Sequence, residues 1–360
     1  LRLGTLRARL CCHPSLPERG PTLEQNQTPA GTDVTDARAT LEAAMFEIKR
    51  VIVGQEAMLE RVFVALLSSG HLLIEGVPGL AKTLTVKTIA EVLGGSFQRV
   101  QFTPDLVPAD LVGTRIYRPD HGTFETERGP VFCNLLLADE INRAPAKAQS
   151  ALLEVMQERQ VTIGLQTFPV PRPFLVMATQ NPIESEGTYP LPEAQVDRFM
   201  MKVLVDYPIP AEEMVVVQRS LQRPAEVNQV LPIEELERFQ RLAADLYVDR
   251  AVAEYAIALA NSTRHPAKYG IAQHAPHIAF GSSPRGSINL VHAGRALALL
   301  RGRRYVLPSD VYDLAKDVLR HRLVLTYQAL ADGVTSDLIL EAALKAVPQP
   351  RIELAQELSA

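Results

Sequence analysis

The sequence predicts an α/β fold, a mostly parallel sheet with helices on both faces, followed by an all-helical lid. Three observations predict it. Apolar, strand-like runs alternate with helical patterns from His71 to Val205, and such alternation implies a parallel sheet. Two of these runs end in residues suited to a nucleotide phosphate and its metal ion. From Ile233 onward only helical periodicity is found.

The elements follow in chain order. Residues 1–34 are rich in Pro, Thr, Gln, Gly and Arg without periodicity, and are expected to be a disordered tail. A helix is expected from Thr35, with Leu41, Met45, Ile48 and Ile52 spaced by three and four. A second runs from Gln55 to Ser69 and stops at Gly70. Strands are expected near 71–75, 97–101, 134–138, 174–178 and 201–205, the first flanked by the third and later ones. A helix spans Leu84 to Leu93. Two hairpins interrupt this core. One lies within 102–130, where Thr114–Tyr117 and Thr123–Thr126 flank Arg118-Pro119-Asp120-His121-Gly122. The other spans Gln160 to Val170, turning near Gly164. The core is bounded at 35–207. Prolines and polar residues make 208–232 a linker. The lid is 233–347, with helices at 233–247, 250–263, 284–301, 308–321 and 335–346, and 348–360 is a C-terminal tail.

The chemistry lies at strand ends. Gly76-Val77-Pro78-Gly79-Leu80-Ala81-Lys82-Thr83 follows the first strand and opens a helix, the layout of a phosphate cradle. Backbone N–H groups of such a loop point at the phosphates. Lys82 would reach the β- and γ-phosphates and Thr83 would place its hydroxyl on Mg²⁺. Ala81 stands where the general pattern has glycine. Asn134 to Ala138 is an apolar run ending in Asp139-Glu140, reading as a strand buried on both faces. Asp139, at its carboxyl end, would hold Mg²⁺ through the metal's water shell. Glu140 would orient the attacking water. Phe174 to Thr179 leads to Asn181, a neutral polar group at a third strand end. Pro192 to Phe199 is a short helical segment carrying Arg198. Ser283 is a plausible N-cap, with Pro284 at the first helical position and Arg285 in the first turn. A cation there is unfavourable without a bound anion.

This set of motifs resembles the AAA+ ATPases, P-loop NTPases, and within them the MoxR family. Matching residues are Gly76 to Thr83, including Ala81, then Leu135 to Pro145, Ala178 to Pro182, Leu191 to Phe199, and Ser283-Pro284-Arg285. The resemblance covers about Leu41 to Leu330. It implies that Asn181 is the sensor-1 residue, Arg198 the arginine finger, and Arg285 the sensor-2 arginine, sensing the γ-phosphate in its own subunit. Val51 to Gln55, with Val53, Gly54 and Gln55, looks like the segment that contacts adenine, and Leu84 follows the cradle. The hairpins look like the helix-2 insert and the pre-sensor-1 hairpin. The implied cofactors are ATP and Mg²⁺. The implied partners are further copies in a ring, most simply a hexamer, and a protein client or co-factor, typically one bearing a von Willebrand A-type domain.

Composition bounds the rest. The chain has 360 residues, 47% of them apolar, enough for a core and a lid. A net charge of −4 without a basic stripe argues against nucleic acid. Three Cys are too few for a disulfide framework. Cys133 reads as a buried thiol, and Cys11 and Cys12 sit in a poor metal context. No apolar stretch suits a membrane span. The arginine-bearing first residues lack a signal-peptide pattern, so a cytoplasmic location is expected. Two function classes remain: an ATP-hydrolysing motor that remodels or matures proteins, and a scaffold gated by ATP binding alone. A DNA-acting motor is the weaker third.

Overall fold

A computed structural model of the protein describes residues 30–77, 82–181, 188–222 and 225–352. The cradle centre 78–81 (Pro78, Gly79, Leu80, Ala81) lies outside them, as do 1–29 and 353–360. Helices α1 (Ala30–Val51) and α2 (Glu56–Leu67) precede β1 (Leu72–Gly76). There follow α3 (Lys82–Leu93), β2 (Phe97–Gln101), α4 (Pro108–Val112), β3 (Gly113–Arg118) and β4 (Thr123–Arg128). Next come β5 (Leu135–Asp139), α5 (Ala146–Glu158), β6 (Gln160–Ile163), β7 (Gln166–Pro169) and β8 (Leu175–Gln180). Then α6 (Glu193–Val196) leads into β9 (Met201–Val205). The second part holds α7 (Pro210–Ser220), α8 (Ile233–Asp245), α9 (Arg250–Arg264), β10 (Ile278–Phe280), α10 (Pro284–Leu300), α11 (Pro308–Leu319), β11 (Val324–Leu325), α12 (Tyr327–Ala331) and α13 (Ser336–Ala346).

Five strands form one parallel sheet in the order β2-β5-β8-β1-β9. The apolar runs of the three central strands, β1, β5 and β8, are continuous because both faces are covered. Leu72 and Ile74 of β1, Leu135 and Leu137 of β5, and Leu175 and Met177 of β8 join one core, with α1, α2, α3 and the lid helices. The residues between them, Leu73, Leu136, Ala138, Val176 and Ala178, join a second core against α5. The pleat's period of two sorts the side chains in this way.

Four expectations need correction. β1 pairs with β8 and β9, and β5 is separated from it by β8. Apolar runs identify strands, but crossover connections choose their neighbours. The 208–232 segment contains α7, an exposed helix with no buried residue, so no apolar stripe betrayed it. The lid is not purely helical, since β10 and β11 pair antiparallel. Finally, α1 starts at Ala30, ahead of Thr35.

His71, just before β1, is fully enclosed. Its Nδ1 accepts from Val176 N–H at 3.0 Å, so Nε2 carries the proton and donates to the Met156 carbonyl at 3.1 Å. Burial, helped by the Arg159 charge, lowers its pKa from 6.5 to about 3. A proton enters the unfolded chain below the unfolded pKa but not the native site. Stability is therefore complete above 6.5 and is lost as pH falls toward the folded value. At about pH 5 the loss from this group is about 2 kcal/mol. Buried His321 acts in the same direction. Denaturant midpoints at neutral and mildly acid pH test this, with His71→Gln expected to flatten the slope; identical slopes would contradict it.

Candidate active site

The strands' shared direction brings three chain segments to one sheet edge. Register places Glu75 beside Gln180 and Ala138 beside Ala178. Gly76, Asp139 and Asn181 therefore end three adjacent strands, the edge where open α/β sheets bind ligands. Gly76 must lack a side chain, because a Cβ there would lie 2.5 Å from the Val205 carbonyl of β9. Lys82 starts α3 and its Nζ donates to the Gly76 carbonyl at 2.6 Å. Burial lowers its pKa, opposed by the charges of Asp139, Glu140 and Glu75. Those opposing charges mark the convergence of cradle and strand end.

Asp139 and Glu140 are held by a small network. The Thr179 hydroxyl donates to Asp139 Oδ1 at 2.6 Å and accepts from the Glu140 N–H at 2.8 Å. Arg99 donates to Asp139 Oδ2 through Nε at 3.2 Å and Nη2 at 2.5 Å. Glu140 Oε2 accepts from Gln101 at 2.6 Å and pairs with Arg143 at 3.2 Å. Glu140 has φ 56°, in the left-handed region, which costs a residue with a Cβ about 1–2 kcal/mol. Asn181 is buried.

Beside the cradle lies a cavity of about 440 Å³. Its apolar walls include Val51, Ile52, Val53, Leu84 and Val216, with Arg50 and Arg219 as polar members. Of the segment Val51 to Gln55 expected to meet a base, Val51, Ile52 and Val53 line it, and Gly54 and Gln55 do not. Gly54 (φ 67°) and Gln55 (φ 57°) make the left-handed turn between α1 and α2. The Glu212 carboxyl occupies the space where a Gly54 Cβ would stand.

A second polar patch sits at the opposite, amino-terminal ends of the strands. A five-residue strand separates the two by about 16 Å. Arg198 just precedes β9, and the Met200 N–H donates to the His71 carbonyl at 2.8 Å. Arg198 forms no ion pair with Asp197, because that carboxylate is already engaged. It accepts from Arg322 Nε at 2.9 Å and from the Ser283 hydroxyl at 2.9 Å, and lies 3.5 Å from Arg285. Arg322 is fully buried and also donates to the carbonyls of Asp197 (3.1 Å), Phe199 (2.7 Å) and Met200 (3.2 Å). Burial lowers its pKa to about 10 against the pull of Asp197, so it stays charged at neutral pH. Ser283 caps α10, accepting from the Arg285 N–H at 3.2 Å, with Pro284 in the first turn, as the sequence predicts.

Arg285 therefore does not reach its own subunit's cradle. The Ser283–Asp197 bond ties the start of α10 beside Arg198, so Arg285 and Lys82 face opposite ends of the sheet. The expectation of a γ-phosphate contact within the same subunit is corrected.

Comparison with known proteins identifies the family. Residues 71–201 match the ATPase family associated with various cellular activities (AAA), and 272–343 match an AAA lid domain. Chaperone MoxR1 of Mycobacterium tuberculosis is 56% identical over 313 residues, 87% of this chain and 83% of that protein. Protein MoxR of Paracoccus denitrificans is 32% identical, covering 89% and 99%. A crystal structure of a putative ATPase from Cytophaga hutchinsonii superposes with a TM-score of 0.85 at 44% identity, covering 89% of this chain and 98% of that one. The chain belongs to the MoxR family of AAA+ ATPases.

Within this MoxR-family fold, the site residues suit nucleotide and metal. A carboxylate offers about four acceptor positions, and Asp139 uses three, on Arg99 and Thr179. One remains for a water of a metal's shell. The apolar cavity flanking Leu84 suits a flat base. Sequence reasoning missed Thr179, the relay between Asp139 and Glu140, because a threonine closing an apolar run carries no distinct signal. It also missed α7, which supplies Val216 and Arg219. Pro210 followed by Glu212 and Glu213 was the available helix-start signal. Cys133 is a buried free thiol whose pKa burial raises to about 12, an unreactive core group. Among the described residues no helix is long and apolar enough to cross a membrane, and no cluster of His, Cys, Asp or Glu forms a metal site.

Proposed function

We propose that this MoxR-family protein hydrolyses Mg²⁺-ATP and uses the turnover to remodel or mature protein partners, working as a ring. The observation that carries the proposal is the convergence of Lys82, Asp139, Glu140 and Asn181 on one strand edge, beside an apolar cavity. Lys82 holds the phosphates. Thr83 and Asp139 hold the metal, which supplies positive charge against the phosphate oxygens. Glu140, fixed by Gln101, Arg143 and its own N–H on Thr179, takes the water's proton. Asn181 orients that water or the γ-phosphate.

Phosphoryl transfer asks mainly for positioning and charge. The missing positive charge on the γ-phosphate's outer side comes from another subunit. Arg198 faces away from its own cradle and has no acidic partner among the described residues, which supports a finger reaching a neighbour. Arg285 accompanies it. A hexamer is the closed ring we favour. The partner is a protein, and a von Willebrand A-type co-factor is the candidate to test first.

Glu140→Gln separates a motor from a scaffold gated by binding. Turnover is expected to fall by about 10²–10⁴-fold, the usual worth of a general base. Affinity for Mg²⁺-ATP, measured by calorimetry, is expected to stay within a few-fold. Unchanged turnover would remove Glu140 from the mechanism and with it the hydrolytic reading.

A further inference from the structure

A cavity of about 280 Å³ lies next to Arg198 at the amino-terminal strand ends. Ser69, His71, Arg159, Arg198, Asn289 and His292 help to line it, and no lining residue is acidic. His71 is neutral, and burial lowers the pKa of His292 as well. Two guanidinium groups thus share one pocket. Neither has a carboxylate partner among the described residues. Arg159 makes a single side-chain hydrogen bond there, from Nη2 to the Ser69 carbonyl. Most of its five donors are uncommitted. A smaller adjoining cavity of about 200 Å³ joins Arg198 to Arg285 and Asp197. Asp197 is spent on Arg322, Ser283 and Arg285, so it cannot neutralise Arg159.

Arg159 is also held in place. It ends α5 in a left-handed turn at φ 52°. Its N–H donates to the Val155 carbonyl at 2.9 Å, and its own carbonyl accepts from Val170 N–H at 3.1 Å, closing the base of the β6–β7 hairpin. A fixed guanidinium fork with open donors, paired with a second arginine, is built for a phosphate oxyanion.

We propose that Arg159 is a second catalytic arginine supplied in trans, touching with Arg198 the terminal phosphate of a nucleoside triphosphate held by a neighbouring copy. This rests on the reading of Arg198 as a finger between copies. The ligand is the neighbour's nucleotide, and free phosphate is the competing source of the same chemistry.

The test uses the full chain and co-expressed, differently tagged subunits. Arg159→Ala is expected to lower turnover on the order of 10–100-fold, with ATP affinity of its own cradle unchanged. Arg159→Lys, which keeps the charge and loses the fork, should recover part of the loss and guards against misfolding. Mixed rings of Arg159→Ala and Lys82→Ala subunits should regain activity, because each interface joining an intact cradle to an intact arginine pair works. Arg198→Ala mixed with Lys82→Ala is the parallel control. Three results overturn the proposal. One is wild-type turnover in Arg159→Ala. Another is a loss that mixing fails to restore while the Arg198→Ala mixture recovers, which leaves the finger reading standing. The third is inorganic phosphate restoring Arg159→Ala activity without mixing. Failure of both mixtures, with mixed rings demonstrated, removes the finger reading itself.

Discussion

Arg198→Ala is expected to reduce ATP turnover by about 10³–10⁵-fold, the range for an arginine finger, while ATP binding is retained. Lys82 and the apolar cavity are about 16 Å away at the far strand ends, so Arg198 contributes nothing to its own subunit's affinity. A salt bridge to Asp197 would have given it a local purpose worth little. That partner is occupied by Arg322, Ser283 and Arg285. Turnover and calorimetric affinity measured on the same preparation decide the matter. Wild-type turnover in Arg198→Ala would sink the finger, and a parallel loss of affinity would place Arg198 in the cis site instead.

Lys82→Ala is expected to weaken ATP binding by about 100-fold, the worth of a charged hydrogen bond of about 3 kcal/mol. The loss should exceed that of an exposed lysine because of what remains. Glu75, Asp139 and Glu140 all act on this ammonium group, and without it their charges face the triphosphate with one cation fewer between them. Glu75 retains Lys202 at 2.6 Å and Asp139 retains Arg99, so the fold should survive. Equal affinity in Lys82→Ala and wild type would refute the cradle.

The three central strands that sequence reading recovered share one property. β1, β5 and β8 are covered on both faces, and full burial leaves an unbroken apolar run that needs no context. Lys82, Asp139 and Asn181 were legible because each follows such a run. Elements and contacts decided by tertiary structure were not. α7 buries no residue of its own, yet it walls the cavity through Val216. Pairing of β1 with β8 and β9 depends on crossovers, which leave no mark in a strand. Arg285 was assigned to the wrong end of the sheet because the Ser283–Asp197 bond joins residues far apart in the chain. Thr179 and Arg159 carry ordinary local sequence, and only their neighbours give them a role.

The buried Arg322 bears on how far this protein can be taken apart. By sequence, 71–201 and 272–343 match two separate family domains, as if each could be exchanged between relatives. Arg322 belongs to the second and spends its guanidinium on Asp197, Phe199 and Met200 of the first. A transplanted lid lacking this arginine would leave a carboxylate and three carbonyls short of their donor, next to Arg198, the proposed finger. Grafts between relatives must therefore carry Asp197 and Arg322 as one inherited unit.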